Sequence, residues 1–119
     1  MDSLGRSRFL SVMETDSSLS IDEQLRFAIT NTRLIAIGYH GRLRIAEPHD
    51  YGVHKGIERL LICQLRAQDD RPGKSARGWR LLDVPQIETC RVLDEQFPGS
   101  RGSSHRNHVQ WEILYARVG

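Results

Sequence analysis

No apolar run in this sequence approaches the ~20 residues needed to span a bilayer, so a membrane helix is not among its solutions. Cysteine is scarce. The two present, Cys63 and Cys90, stand far apart rather than as a CxxC pair, which excludes a disulfide scaffold and a zinc ribbon. Each lies in an apolar, strand-like run, where a reduced thiol acts as a small buried hydrophobe. The N-terminal stretch MDSLGRSRFLSVM has two arginines but no sustained apolar core and no small-residue cleavage site, so the expected compartment is the cytoplasm. Catalytic signatures are missing as well. GRSRFL and GSRGSS lack the spacing and strand-to-helix context of a phosphate loop, and Ser103-Ser104-His105 has neither a glycine elbow nor a placed acid partner. These absences predict a non-enzymatic protein with no cofactor and no metal.

What is present is one domain. At 119 residues the chain can bury a core of its own, and 39% hydrophobic with 27% charged residues is a soluble, globular balance. The net charge of +2 is too small to define a nucleic-acid binder, but its distribution is uneven. From Arg33 to Arg80 there are ten Lys/Arg against five Asp/Glu, and three of the five histidines lie there too. Fifteen of the 17 basic residues are arginine, which suits bidentate capture of phosphate or carboxylate, although codon bias also produces such a ratio.

Residues 1–19 show no period and read as a flexible tail, leaving 20–119 as the domain. Ser20 with Glu23 three residues later is a capping box. Ile21, Leu25, Ala28, Ile29 and Thr32 then recur every three or four positions, so an amphipathic helix of about three turns follows. Leu34 to Tyr39 reads as a strand, His40-Gly41 as a turn. In the next strand Arg42, Arg44 and Ala46 alternate with Leu43, Ile45 and Glu47, giving a basic face and a mostly apolar one. Pro48 is expected to end this strand and His49 to Gly56 to form a loop.

Ile57 to Arg66 is the longest apolar run and fits a strand buried on both faces. QDDRPGKSA is a hairpin loop by its Pro72-Gly73 signal. Trp79, Leu81 and Asp83 alternate with Arg80 and Leu82, Val84-Pro85-Gln86 interrupts, and Ile87 to Leu93 reads as a strand with Ile87 opposite Cys90 and Val92. Asp94 to Asn107 is a surface loop and HVQWEILYARV a closing strand. Trp79 and Trp111 are expected to fill the core. One helix and about six strands without a βαβ alternation make a mainly β chain, a small antiparallel barrel behind an N-terminal helix.

The order Ile37-Gly38-Tyr39, Arg44-Ile45-Ala46-Glu47-Pro48-His49, a glycine-led strand, Gly78-Trp79-Arg80-Leu81, Ile87 and Asp94-Glu95-Gln96-Phe97 resembles the WYL-domain family over residues 22–98. The ending ILYARV is similar to that of short stand-alone members. Where the family carries its Trp-Tyr-Leu triplet, this chain has Arg59-Leu60-Leu61. The resemblance implies an Sm-like or SH3-like β-barrel acting as a ligand sensor in bacterial transcriptional and defence regulators. Members usually carry a winged-helix DNA-binding domain, which the first 20 residues cannot contain.

Read with that resemblance, Tyr39, Arg42, Arg44, His49 and Arg80 are the candidate ligand-binding residues. Three guanidiniums on one curved surface form a forked anion site for single-stranded nucleic acid or a nucleotide, with Tyr39 to stack a base and His49 to offer a proton to phosphate. The alternative is that Arg44 pairs with Glu47 or Asp83 and that Tyr39 caps the core. His49 and His54 flank Asp50, but on a loop spacing that does not make a zinc site, and His105 and His108 read as solvated. A second functional class stays open: a protein-interaction module that forms a homodimer through a barrel edge or the Ile113-to-Val118 strand.

Overall fold

The computed structural model describes residues 19–68, 77–102 and 109–119. The expected tail up to residue 18, the loop over 69–76 and the segment 103–108, with Ser103, Ser104, His105 and His108, lie outside the described residues.

Helix α1 (Ile21–Thr30) begins where the capping box predicts. The Glu23 amide donates to Ser20 Oγ at 3.1 Å, and the Ser20 amide donates to Glu23 Oε1 at 2.9 Å. Gln24, Leu25, Ala28 and Ile29 form its buried stripe. That stripe rests on a six-stranded antiparallel sheet: β1 (Arg33–Tyr39), β2 (Arg42–His54), β3 (Ile57–Ala67), β4 (Gly78–Asp83), β5 (Ile87–Gln96) and β6 (Ile113–Arg117). The order is β4-β3-β2-β1-β5, with β6 added beside β2. A single 3-10 turn, Val84–Gln86, joins β4 to β5. The described residues are therefore mainly β with one helix. The sheet is not closed, since β4 and β5 at the ends of that order do not pair with each other. It does curl: the Asp83 amide on β4 donates to Tyr39 Oη on β1 at 3.0 Å, across the two strands between them.

The hairpins β1–β2 and β2–β3 use the same two-residue turn. His40-Gly41 and Lys55-Gly56 all have positive φ (50°, 75°, 53° and 77°), the backbone that matches strand twist and for which glycine is best suited. The core between α1 and the sheet holds Ile35, Ile37, Ala46, Tyr51, Leu60, Ile62 and Val92. Fully burying each of the larger apolar side chains contributes roughly 1.5–3 kcal/mol, so this layer is a main source of the fold's stability.

β2 departs from expectation in two ways. Pro48 does not end it, and His49 to Gly56 is not a loop, for the strand continues to His54. The reason is positional. Pro48 falls between Ala46, the last residue paired with β1, and Asp50, the first paired with β6, and it abuts a register shift against β3. A proline is tolerated at such a bulge because no continuous ladder needs its missing N–H. Beyond the gap, Gly52 lets β6 close in, since a Cβ there would collide with the Ile113 carbonyl oxygen.

The second departure is the side on which β2 faces inward. Arg44 and Ala46 are buried while Leu43 is 48% exposed, so the basic side of the hairpin turns inward. Two smaller expectations also fall. Glu88 is an extra residue where Gly38 pairs Thr89 and Tyr39 pairs Ile87, and this bulge puts Ile87 into the same core as Val92. Trp79 and Trp111 are only partly buried and lie outside the core cluster. Cys63 is buried on β3 and Cys90 half-buried on β5, both as free thiols.

Candidate functional site: a buried arginine and its neighbours

Alternation along β2 aims Arg44 under the curl of the sheet. Its Nη1 donates to Gln64 Oε1 at 3.0 Å and its Nη2 to the Tyr39 carbonyl at 3.4 Å. The guanidinium carbon sits 5.4 Å from the Tyr39 ring centroid, a cation–π distance. Nε is buried and has no partner among the described residues. Burial disfavours the charged form most, the like charges of Arg42 and Arg80 add to this, and the Arg44 pKa is lowered. No carboxylate among the described residues offsets the effect. Both acids that the sequence offers Arg44 are engaged elsewhere, Asp83 with Arg59 at 3.2 Å and Glu47 with Arg101 at 2.6 Å.

The flanking arginines are held by backbone. Arg42 donates to the Gln68 carbonyl through Nε (3.3 Å) and Nη2 (3.0 Å). Arg80 Nη1 donates to the Trp79 carbonyl at 3.0 Å and lies 3.1 Å from where a Cβ on Gly78 would stand. Gly78 is the cross-strand partner of Gln64, the acceptor of Arg44, so Arg80 reaches the same corner of the sheet. Tyr39 belongs to this corner but is built into it. Its ring stacks on His40 at 4.1 Å, it is only 7% exposed, and its hydroxyl holds β4.

His49 is buried rather than set on an open loop. As the extra residue of the Pro48–Asp50 bulge it folds onto Glu47, with Nε2 at 3.0 Å from Oε1, under Trp79 and Phe97. Bulges re-aim side chains in this way. It is 1% exposed. Around it lies a row of buried charge that sequence reasoning missed. Arg101 grips Glu47 through two hydrogen bonds (2.6 and 2.7 Å), and Arg117 grips the fully buried Asp50 through two more, both 3.0 Å. Neither arginine has a local signal, for each lies more than 50 residues from its acid.

Acid should unlock this row. Burial pushes the His49 pKa below its ordinary 6.5 despite the hydrogen bond to Glu47. Burial alone would raise Glu47, but the Arg101 and His49 hydrogen bonds outweigh it and the net shift is downward from 4.5. Both groups bind protons more weakly folded than unfolded, so their contribution is complete above about pH 6.5 and is lost as pH falls, by at most about 1.4 kcal/mol per pH unit per proton. Urea midpoints between pH 8 and pH 4 should therefore decrease, His49 acting first and Glu47 later. His49→Gln should flatten the upper part only, and an unchanged profile in that variant would remove His49 as the cause.

No family model, no curated protein and no solved structure matches this chain. Among the described residues no helix is long and apolar enough to cross a membrane, and no group of three His, Cys, Asp or Glu is placed to hold a metal ion.

Proposed function

We propose that the chain is a non-enzymatic, WYL-type ligand-binding module of a regulatory or defence system. In this reading it takes an anionic ligand, single-stranded nucleic acid or a nucleotide, at Arg44 with Arg42 and Arg80 around it. The observation that carries the reading is Arg44 itself: a residue only 9% exposed, with no carboxylate partner among the described residues and two more arginines acting on it. A desolvated, uncompensated cation is costly to keep, and an arriving anion removes the cost. The WYL-type, Sm-like or SH3-like barrel part of the reading draws support from the connectivity. A helix precedes five strands ordered β4-β3-β2-β1-β5, with a 3-10 turn between the fourth and fifth and a curl that brings Tyr39 to Asp83.

Fluorescence anisotropy against labelled DNA and RNA oligomers and nucleotides, over a salt series, tests it. Binding is expected at ~1–100 µM in low salt and should weaken as salt rises, because phosphate contacts release counterions. Absence of binding below ~100 µM at low salt sinks the proposal.

A second reading, a homodimerisation module, is favoured by β6. Among the described residues this strand pairs only with β2, and Ile113 and Leu114 stand 55% and 40% exposed on it. An open apolar edge is a template for another strand. Light scattering across protein concentration decides it: a mass that doubles supports the dimer, and a concentration-independent monomer removes it.

A further inference from the structure

At the far end of the β2–β3 hairpin lies a cleft of about 530 Å³, lined by His54, Lys55, Gln110, Trp111 and Glu112. It shares no residue with the arginine cluster, so it is a separate site. Three features define its chemistry. First, Glu112 is fixed in place. Its amide donates to the Val53 carbonyl at 2.8 Å, and its Oε1 accepts from the Gly56 amide at 3.2 Å, leaving Oε2 as an oriented acceptor. Second, Lys55 sits at the positive-φ position of the turn and has no hydrogen bond or ion pair among the described residues, with Glu112 or with any other group. The cleft therefore holds one cation and one anion that form no ion pair with each other. Third, an aromatic wall stands between polar groups. Trp111 meets His54 edge-on at 6.3 Å, and its indole Nε1 is buried without a partner among the described residues. His54 Nδ1 lies 3.2 Å from the Gln110 carbonyl, which can only accept, so Nδ1 carries the proton and Nε2 is the nitrogen left over.

A cation and an anion that form no ion pair, set beside an indole, match one kind of small molecule. We propose that this cleft binds a zwitterion, a free α-amino acid with an apolar or aromatic side chain. Its carboxylate meets Lys55 Nζ, its ammonium meets Glu112 Oε2, and its side chain lies against Trp111. A purely anionic ligand would leave Glu112 as a like charge beside it, and a purely cationic one would meet Lys55. The zwitterion satisfies both, and charge-assisted hydrogen bonds at each end fix its orientation.

The test is a titration of the ¹⁵N-labelled chain with L-phenylalanine to ~20 mM, above the millimolar affinity expected of so small a ligand. The readout is the Trp111 indole resonance, identified by its persistence in Trp79→Phe. A saturable shift of that resonance is expected, with 3-phenylpropionate, which lacks the ammonium, and phenethylamine, which lacks the carboxylate, each roughly fivefold weaker or worse. Glu112→Gln retains the acceptor for Gly56, and Lys55→Asn suits a positive φ. Both variants should therefore fold, and each should lose roughly fivefold or more of the phenylalanine affinity. No shift, an analogue that binds as well as phenylalanine, or variants that bind like the parent would each overturn the proposal.

Discussion

Replacing Arg44 by methionine is expected to weaken binding of an anionic oligomer roughly 10- to 150-fold, the 1.5–3 kcal/mol carried by hydrogen bonds to a charged group. The same change should leave the unliganded protein within about 1 kcal/mol of the parent, or above it. The stability half of this result follows from what surrounds the side chain. Arg44 has its charged form disfavoured by burial and by Arg42 and Arg80, and its acceptors, Gln64 Oε1 and the Tyr39 carbonyl, are both neutral. Methionine keeps an unbranched stem to pack on Tyr39, loses two neutral-acceptor hydrogen bonds and removes a desolvated charge, and the two effects nearly cancel. Anisotropy and urea unfolding on the same preparations check both halves. A variant that unfolds easily would show Arg44 to be a structural residue, and one that binds normally would move the site elsewhere.

Arg117→Ala should do the opposite. It is expected to cost about 3–5 kcal/mol of stability, because it strands a buried carboxylate. Asp50 has 0% exposure, and Arg117 supplies both hydrogen bonds recorded to its carboxylate oxygens. Val118, 2% exposed, lies in the same segment, its amide N–H donating to the His49 carbonyl at 2.9 Å, and loosens with it. Against a typical total of about 5–15 kcal/mol, such a loss leaves a marginal protein. Urea unfolding measures it, and Asp50→Leu combined with Arg117→Met should recover most of the deficit, since an apolar pair replaces a buried ion pair at little net cost. A loss under about 1 kcal/mol in the single variant would mean that Asp50 keeps its charge satisfied without Arg117.

The contrast between these two arginines shows where the sequence is legible. Local signals sufficed for α1, whose cap and stripe lie within ten residues, and for the first hairpin, whose turn is written in His40-Gly41. Lys55-Gly56 carries the same signal, but a proline that normally stops a strand makes the segment before it read as a loop. Whether Pro48 stops β2 depends on what lies beside it, and that neighbour, β6, is about 65 residues further on. The candidate residues Tyr39, Arg42, Arg44 and Arg80 follow from alternation and motif order. The depth of Arg44 does not, because period-two spacing separates two faces without saying which one the helix and β3 will cover. The burial of His49 is hidden for a related reason, since a bulge changes the phase of the strand at that residue. Glu47 and Asp50 read as an ordinary acidic end of a strand until Arg101 and Arg117 arrive from the other end of the chain.

The late arrival of β6 also matters during synthesis. Asp50 and Arg117 are separated by 67 residues, so at about 5–20 residues per second the ribosome makes the acid roughly 3–13 s before its partner. A β2–β3 hairpin formed within that interval would present Asp50 to Val53 as a strand edge with no neighbour on one side. An apolar residue at position 50 would make that edge a site for nascent chains to pair with one another. An ionised aspartate keeps the edge hydrated until Arg117 emerges, so the charge that the finished sheet must neutralise also shields the unfinished one.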